Sequence, residues 1–237
     1  MLTINTKRMN AKRTIIYTIL LLAIVISVIA CSKMDQEYKE FTKGGEIVYT
    51  GKIDSLSIYP GRNRFKLAWA LVSDQRITKC RVFWNEGEDS VTVPVTRTAG
   101  VDYIDVTIPN LLERTYTFEV YTYDDAGHRS VPVDTLGNVY GDSYQATLFN
   151  RPVKRVSFKK DSSSVVWSGA NSTNVRVELS YLDTLDIQRS YYVPKADTII
   201  KLPAFKKGAT FRYRTVYLPH PNSLDTFYSA YGDWLIP

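Results

Sequence analysis

The sequence predicts an all-β protein: two tandem β-sandwiches behind an export signal. Three observations carry that expectation. Apolar and polar residues alternate in short segments from Glu46 onward, the period-two signature of half-buried strands. Tyr, Val, Thr and Ile suit a pleated surface and are abundant, with 17 Tyr in 237 residues. Clusters of Gly, Pro, Asn, Asp and Ser separate the apolar segments, as turns separate strands.

Residues 1–30 are the first element. They contain no Asp or Glu and carry Lys7, Arg8, Lys12 and Arg13. An apolar run from Ile15 to Ala30 follows, interrupted by Tyr17, Thr18 and Ser27. A basic start, an apolar middle and a small residue at the exit describe a secretory signal. The run is shorter than the roughly 20 residues of a membrane-spanning helix. Its exit, Val28-Ile29-Ala30-Cys31, resembles the bacterial lipobox. That resemblance implies cleavage before Cys31, lipidation of its thiol, and anchoring to the outer membrane. Each buried methylene of such an anchor contributes about 0.8 kcal/mol. Residues 31–43 are then a lipidated tether, polar and charged after Cys31. Asp35, Glu37 and Glu40 resemble the acidic stretch that sends some Bacteroidota lipoproteins to the cell surface.

Composition narrows the partners. The formal net charge is +6, and four of those cations lie in residues 1–30, which leaves +2 for the remainder. The basicity belongs to export, so no nucleic-acid partner is expected. Of the two cysteines, Cys31 is assigned to lipid, so Cys80 has no disulfide partner. Each sandwich must therefore stand on its apolar core, which about 100 residues can supply.

The first sandwich spans residues 44–149. Its strands read Arg64–Trp69 with Phe65, Leu67 and Trp69 inward, Lys79–Trp84 with Cys80, Val82 and Trp84 inward, Tyr103–Ile108 with Ile104, Val106 and Ile108 inward, and Thr115–Val120 with Tyr116, Phe118 and Val120 inward. The second spans residues 150–237. There Val165 and Trp167 face inward on one strand, and Val175, Val177, Leu179 and Tyr181 on the next.

Landmarks recur in the same order in both halves. Val93-Pro94 answers Val193-Pro194, and Ile108-Pro109 answers Leu202-Pro203. Thr115-Tyr116 answers Thr210-Phe211. Asp134-Thr135 with Tyr140-Gly141-Asp142 answers Asp225-Thr226 with Tyr231-Gly232-Asp233. The pattern reads as a tandem duplication with its boundary near Asn150-Arg151-Pro152. Each unit resembles a fibronectin type III domain through its inward Trp (Trp69, Trp167) and its corner before the sixth strand, Leu111 to Tyr116 and Phe205 to Phe211. The second unit departs from the pattern, because Phe211 has no hydroxyl to close a tyrosine corner.

The chain after the signal also resembles a family of uncharacterised two-domain lipoproteins of Bacteroidota. The residues that carry this likeness are Gly44–Lys52, Pro60-Gly61-Arg62-Asn63-Arg64 and Tyr140-Gly141-Asp142-Ser143-Tyr144. Members of that family often sit in polysaccharide-utilisation loci, which implies work on glycans. Five Asp-Ser/Thr-aliphatic tripeptides, at Asp54, Asp89, Asp134, Asp183 and Asp197, resemble the O-glycosylation site of the same phylum.

Catalytic signatures are scarce. His128 and His220 are the only histidines, and neither has a Cys or His nearby to share a metal. There is no Gly-rich phosphate loop, no G-x-S-x-G and no H-E-x-x-H. The acid pairs Glu86 with Glu88 and Asp183 with Asp186 read as solvated turn residues. Neither an enzyme nor a cofactor is expected. Aromatics are the better lead, because sugar rings stack their C–H faces on Trp and Tyr. The alternation that buries Phe118 and Val120 turns Tyr121 and Tyr123 outward. One of Tyr191 and Tyr192 must face away from the core, and Tyr231 and Trp234 crowd the end of the chain. These six are the candidate ligand-binding residues. The expected function is a non-catalytic, lipid-anchored envelope protein that binds polysaccharide or supports a glycan-uptake complex. The alternative is an interaction or spacer module that holds an outer-membrane protein partner and binds no glycan itself.

Overall fold

A computed structural model describes residues 17, 18, 20–22, 48–160 and 162–236. The expected cleavage site, Cys31 and the tether lie outside the described residues. Residues Tyr49–Pro237 form one compact unit, and everything below concerns that unit.

Its first half is a three-on-four sandwich. Strands β1 (Asp54–Pro60), β2 (Arg64–Leu71) and β5 (Asp102–Pro109) make one antiparallel sheet in the order β1-β2-β5. Strands β3 (Ile77–Trp84), β4 (Asp89–Pro94), β6 (Thr115–Asp124) and β7 (Val133–Asn138) make the other, in the order β4-β3-β6-β7. The alternation sets the register. Phe65, Leu67 and Trp69 stand opposite Ile108, Val106 and Ile104, and Val82 stands opposite Val120. These side chains join Leu71, Cys80, Tyr116 and Phe118 in one core. Trp84 is only half buried and packs at its margin. Phe65 stacks on Phe118 with ring centroids 4.6 Å apart. Burial pushes the Cys80 thiol up to about 11, where it behaves as a small hydrophobe.

The second half repeats the plan. Strands β8 (Val153–Lys159), β9 (Ser162–Trp167) and β12 (Ile199–Pro203) pair in the order β12-β9-β8. Facing them are β10 (Asn174–Leu182), β11 (Gln188–Pro194) and β13 (Thr210–Tyr217), in the order β11-β10-β13. The seventh position is divided between β14 (Phe227–Tyr228) and β15 (Gly232–Leu235), both paired with β13. Trp167 lies 5.2 Å from Tyr213 and 6.4 Å from Phe211, centroid to centroid.

Three sequence expectations change. Val175 does not line the core. A bulge between Asn174 and Arg176 shifts the alternation, so Asn174 is buried in its place, as an extra residue in one strand requires. The corner of the second sandwich is closed by a different tyrosine: the Tyr181 hydroxyl, from β10, donates to the Pro203 carbonyl at 2.7 Å. The last pair of landmarks also separates. Asp134-Thr135 lies within β7 and Tyr140-Gly141-Asp142 beyond it, whereas Gly232-Asp233 opens β15 opposite Tyr213 and Arg212. The earlier landmarks keep step: Pro94 and Pro194 end β4 and β11, Pro109 and Pro203 end β5 and β12, and Thr115 and Thr210 open β6 and β13.

The two sandwiches are clamped together. The short helix α1 (Asp142–Ala146) follows β7, and Glu113 accepts the Ser143 N–H at 2.8 Å and that of Tyr144. Tyr140, Tyr144 and Phe227 pack ring to ring, with centroids 4.8, 6.0 and 5.1 Å apart. The Arg62 guanidinium covers Phe227 at 4.6 Å. Asp225 accepts from the Arg62 backbone N–H at 2.8 Å and from Arg64 Nη2 at 2.6 Å. The Leu224 N–H donates to the Pro60 carbonyl at 2.7 Å. At the boundary, Asn150 accepts from Ser229 and donates to the Ala230 carbonyl, both at 2.8 Å.

Candidate functional site

The β11-β10-β13 sheet has one face in the core and one face outward. On β10, Val177, Leu179 and Tyr181 point in, so Arg176, Glu178 and Ser180 point out. On β13, Phe211 and Tyr213 point in, so Arg212 and Arg214 point out. Glu178 stands opposite both Arg214 and Tyr192, and Ser180 opposite both Arg212 and Ser190. Opposed residues of an antiparallel pair share a face. The outward face therefore gathers Arg176, Glu178, Ser180, Ser190, Tyr192, Arg212 and Arg214.

Arginines and tyrosines interleave there. Glu178 is the hub: Arg176 Nη2 and Arg214 Nη2 each lie 2.7 Å from one of its carboxylate oxygens. Burial alone would raise the Glu178 carboxyl. Hydrogen bonds from both guanidiniums, and their charge, outweigh that and hold it below its ordinary value. Arg176 stacks over Tyr192 at 5.2 Å. Arg214 lies between two rings, 4.1 Å from the centroid of Tyr228 and 4.8 Å from that of Tyr231. Arg212 covers Tyr231 at 4.6 Å. Beside them lies a shallow depression of about 210 Å³, lined by Glu178, Ser180, Gln188, Ser190, Tyr192 and Tyr231 among others.

The six expected aromatics divide. Tyr192, 71% exposed, and Tyr231, 49% exposed, both reach this face. Tyr191 turns inward and stacks on buried Tyr181, centroids 5.9 Å apart. Trp234 stands opposite core residue Phe211 and so shares the inward side, at the sheet margin. Tyr121 and Tyr123 lie on the corresponding face of the first sandwich. There Arg129 covers Tyr121 at 5.4 Å, Lys79 covers Tyr123 at 5.7 Å and Arg81 covers Phe83 at 4.7 Å. The Tyr121 hydroxyl donates to Glu119 at 3.0 Å, and burial followed by that bond raises the phenol.

The arginines were the residues missed by reading the aromatics alone. Their signal was present in the sequence, because Arg212-Tyr213-Arg214 and Arg176-Val177-Glu178 alternate. The pairing across strands that gathers them was not.

Two further titratable groups hold turns together. Asp183 is 1% exposed, against the expectation of a solvated turn acid. It accepts the backbone N–H groups of Leu185 and Ile187 and the side chain of Arg189, which organises the β10–β11 turn and lowers its pKa. His128 is tied back to Asp124, with Nδ1 2.8 Å from the carboxylate. Among the described residues, no group of three or more His, Cys, Asp or Glu could hold a metal.

Comparison with known proteins adds the following. A family model, DUF4998, described as a domain of unknown function, matches residues 31–227. No curated protein matches the chain. Solved structures that are similar include two fibronectin segments. One is a two fibronectin type-III domain segment from chicken tenascin, at 14% identity over 78% of this chain and 99% of that one, TM-score 0.32. The other is the FN1–FN3 segment of chicken CNTN1, at 13% identity over 79% of this chain and 65% of that one, TM-score 0.41.

Proposed function

For this chain, which belongs to the DUF4998 family, a domain of unknown function, we propose a non-catalytic, lipid-anchored envelope protein that binds glycan at the outward face of its second sandwich. One observation carries the reading. Glu178, Ser180, Gln188, Ser190, Tyr192 and Tyr231 line one shallow depression, and three guanidiniums stack over the tyrosine rings of the same face. Hydroxyl-rich ligands are recognised by such a mixture, in which rings offer apolar surface and the polar groups around them offer fixed donors and acceptors. The basic start, the apolar run and Ala30-Cys31 support export, lipidation of Cys31 and attachment to the outer membrane. A place at the cell surface beside a glycan-uptake complex accords with both.

The test is affinity electrophoresis of the detergent-solubilised full chain through gels cast with polysaccharides of plant, host and microbial origin. The expected result is retardation by at least one polymer, lost in Tyr192→Ala. No retardation by any polymer, together with a stable protein partner recovered from envelope membranes, favours the alternative of an interaction or spacer module.

A further inference from the structure

The stacking geometry narrows the class of ligand. Tyr231 carries Arg212 and Arg214 within 4.8 Å of its ring centroid, Tyr228 carries Arg214, and Tyr192 carries Arg176. A ring covered by a guanidinium has given part of its apolar surface to that cation. It is then a shelf that orders an arginine more than a platform for a neutral sugar. A guanidinium stacked on a ring keeps its N–H donors in its own plane, and that planar fork matches a carboxylate or a sulfate. Stacking also removes much of the side-chain freedom that binding would otherwise have to freeze.

The charges on the face point the same way. Arg176 and Arg214 share the single carboxylate of Glu178. Arg212 stands opposite Asp233 in the β13–β15 register, yet among the described residues no ion pair is formed by Arg212. The depression that Arg212 lines also holds Asp186, Asp233, Lys206 and Lys207, with Lys206 paired to Asp186 at 3.2 Å. Five cations thus stand with three carboxylates, and Arg212 is left without an ion pair among the described residues. The first sandwich also gathers cations over rings on its corresponding face. Lys79, Arg81 and Arg129 lie over aromatic rings, and Glu119 and Asp134 stand opposite each other on the same sheet.

We infer that the ligand is an acidic polysaccharide, one bearing uronate carboxylates or sulfate esters, and that Arg212 supplies the principal contact to its acid group. This rests on the glycan reading above and specifies it.

The experiment measures binding of the detergent-solubilised full chain to immobilised polygalacturonate and to a sulfated glycosaminoglycan. Each is compared with a neutral polymer, and with poly-glutamate as an anion that is not a sugar. The expected result is binding to an acidic polysaccharide at least ten-fold tighter than to the neutral polymer or poly-glutamate. That binding should weaken at least ten-fold in Arg212→Ala and again on raising salt from 50 to 500 mM, as screening requires. Arg212 is exposed, and an unchanged melting temperature shows that the variant is folded. Should the uronate polymer and the sulfated polymer differ, the tighter one identifies the acid group. Binding to neutral polymers alone overturns this inference and leaves the glycan reading standing. Equal binding of poly-glutamate, or acidic-glycan binding unchanged by Arg212→Ala, also overturns it. Binding to no polysaccharide overturns both.

Discussion

Single residues in this chain are constrained by their closest neighbours. Gly137 is the sharpest case: a Cβ added there would stand 2.1 Å from Phe65 Cζ. Phe65 is fully buried and stacked on Phe118, so its ring has little room to move. Alanine would gain about 0.5–1 kcal/mol of backbone entropy over glycine, but overpacking a dense core costs about 1–3 kcal/mol. Gly137→Ala should therefore lower stability on balance, and a urea titration with fluorescence of the buried tryptophans would measure it. A midpoint equal to or above that of the parent would mean the ring moves aside. Asp183 makes a related point about charge. Its partners Leu185, Ile187 and Arg189 all lie within its own hairpin, so it is a turn acid as its pattern reads, but buried and not solvated.

At the scale of strands, the second sandwich holds its corner without a tyrosine at the expected place. The second has Phe211 where the first has Tyr116, and it closes with Tyr181 from β10 bonded to the Pro203 carbonyl. A hydrogen bond of this kind contributes about 0.5–1.5 kcal/mol. Tyr181→Phe, which keeps the ring and its packing on Phe205 at 5.2 Å, should cost about 1 kcal/mol in denaturant unfolding. No measurable cost would show that ring packing alone holds the corner. Strand pairing also explains the division of the aromatics. Alternation turned Tyr121 and Tyr123 outward and required one of Tyr191 and Tyr192 to follow; the register makes it Tyr192. Alternation could not foresee that the seventh strand of the second sandwich breaks into two pieces, which sets Trp234 on the inward side while Tyr231 comes to lie under two arginines.

At the scale of the molecule, the β1–β2 turn of the first sandwich meets the loop before β14 of the second. Asp225 bridges Arg62 and Arg64 while Phe227 fills the space beside Tyr140 and Tyr144. Gly61 is required at this contact, since a Cβ would approach Asp225 Oδ2 to 2.6 Å. Such a joint couples the two cores, so scanning calorimetry should show a single unfolding transition for the parent. In Asp225→Ala, which removes the shared acceptor and leaves both cores untouched, that transition should split into two. A single transition in the variant would mean that the aromatic packing is sufficient by itself.

The fold class, the inward residues of most strands, the proline stops and the outward tyrosines were all legible in the linear order of residues. Each depends on a period of two and on turn chemistry, and both are local. The bulge at Asn174, the borrowed tyrosine corner, the clamp at Asp225 and the arginine-covered face were not legible. They join residues from separate strands, and strand register is set by how two apolar faces close on each other. Segments such as Tyr140-Gly141-Asp142 and Tyr231-Gly232-Asp233 can therefore match letter for letter and still stand at different places in the fold.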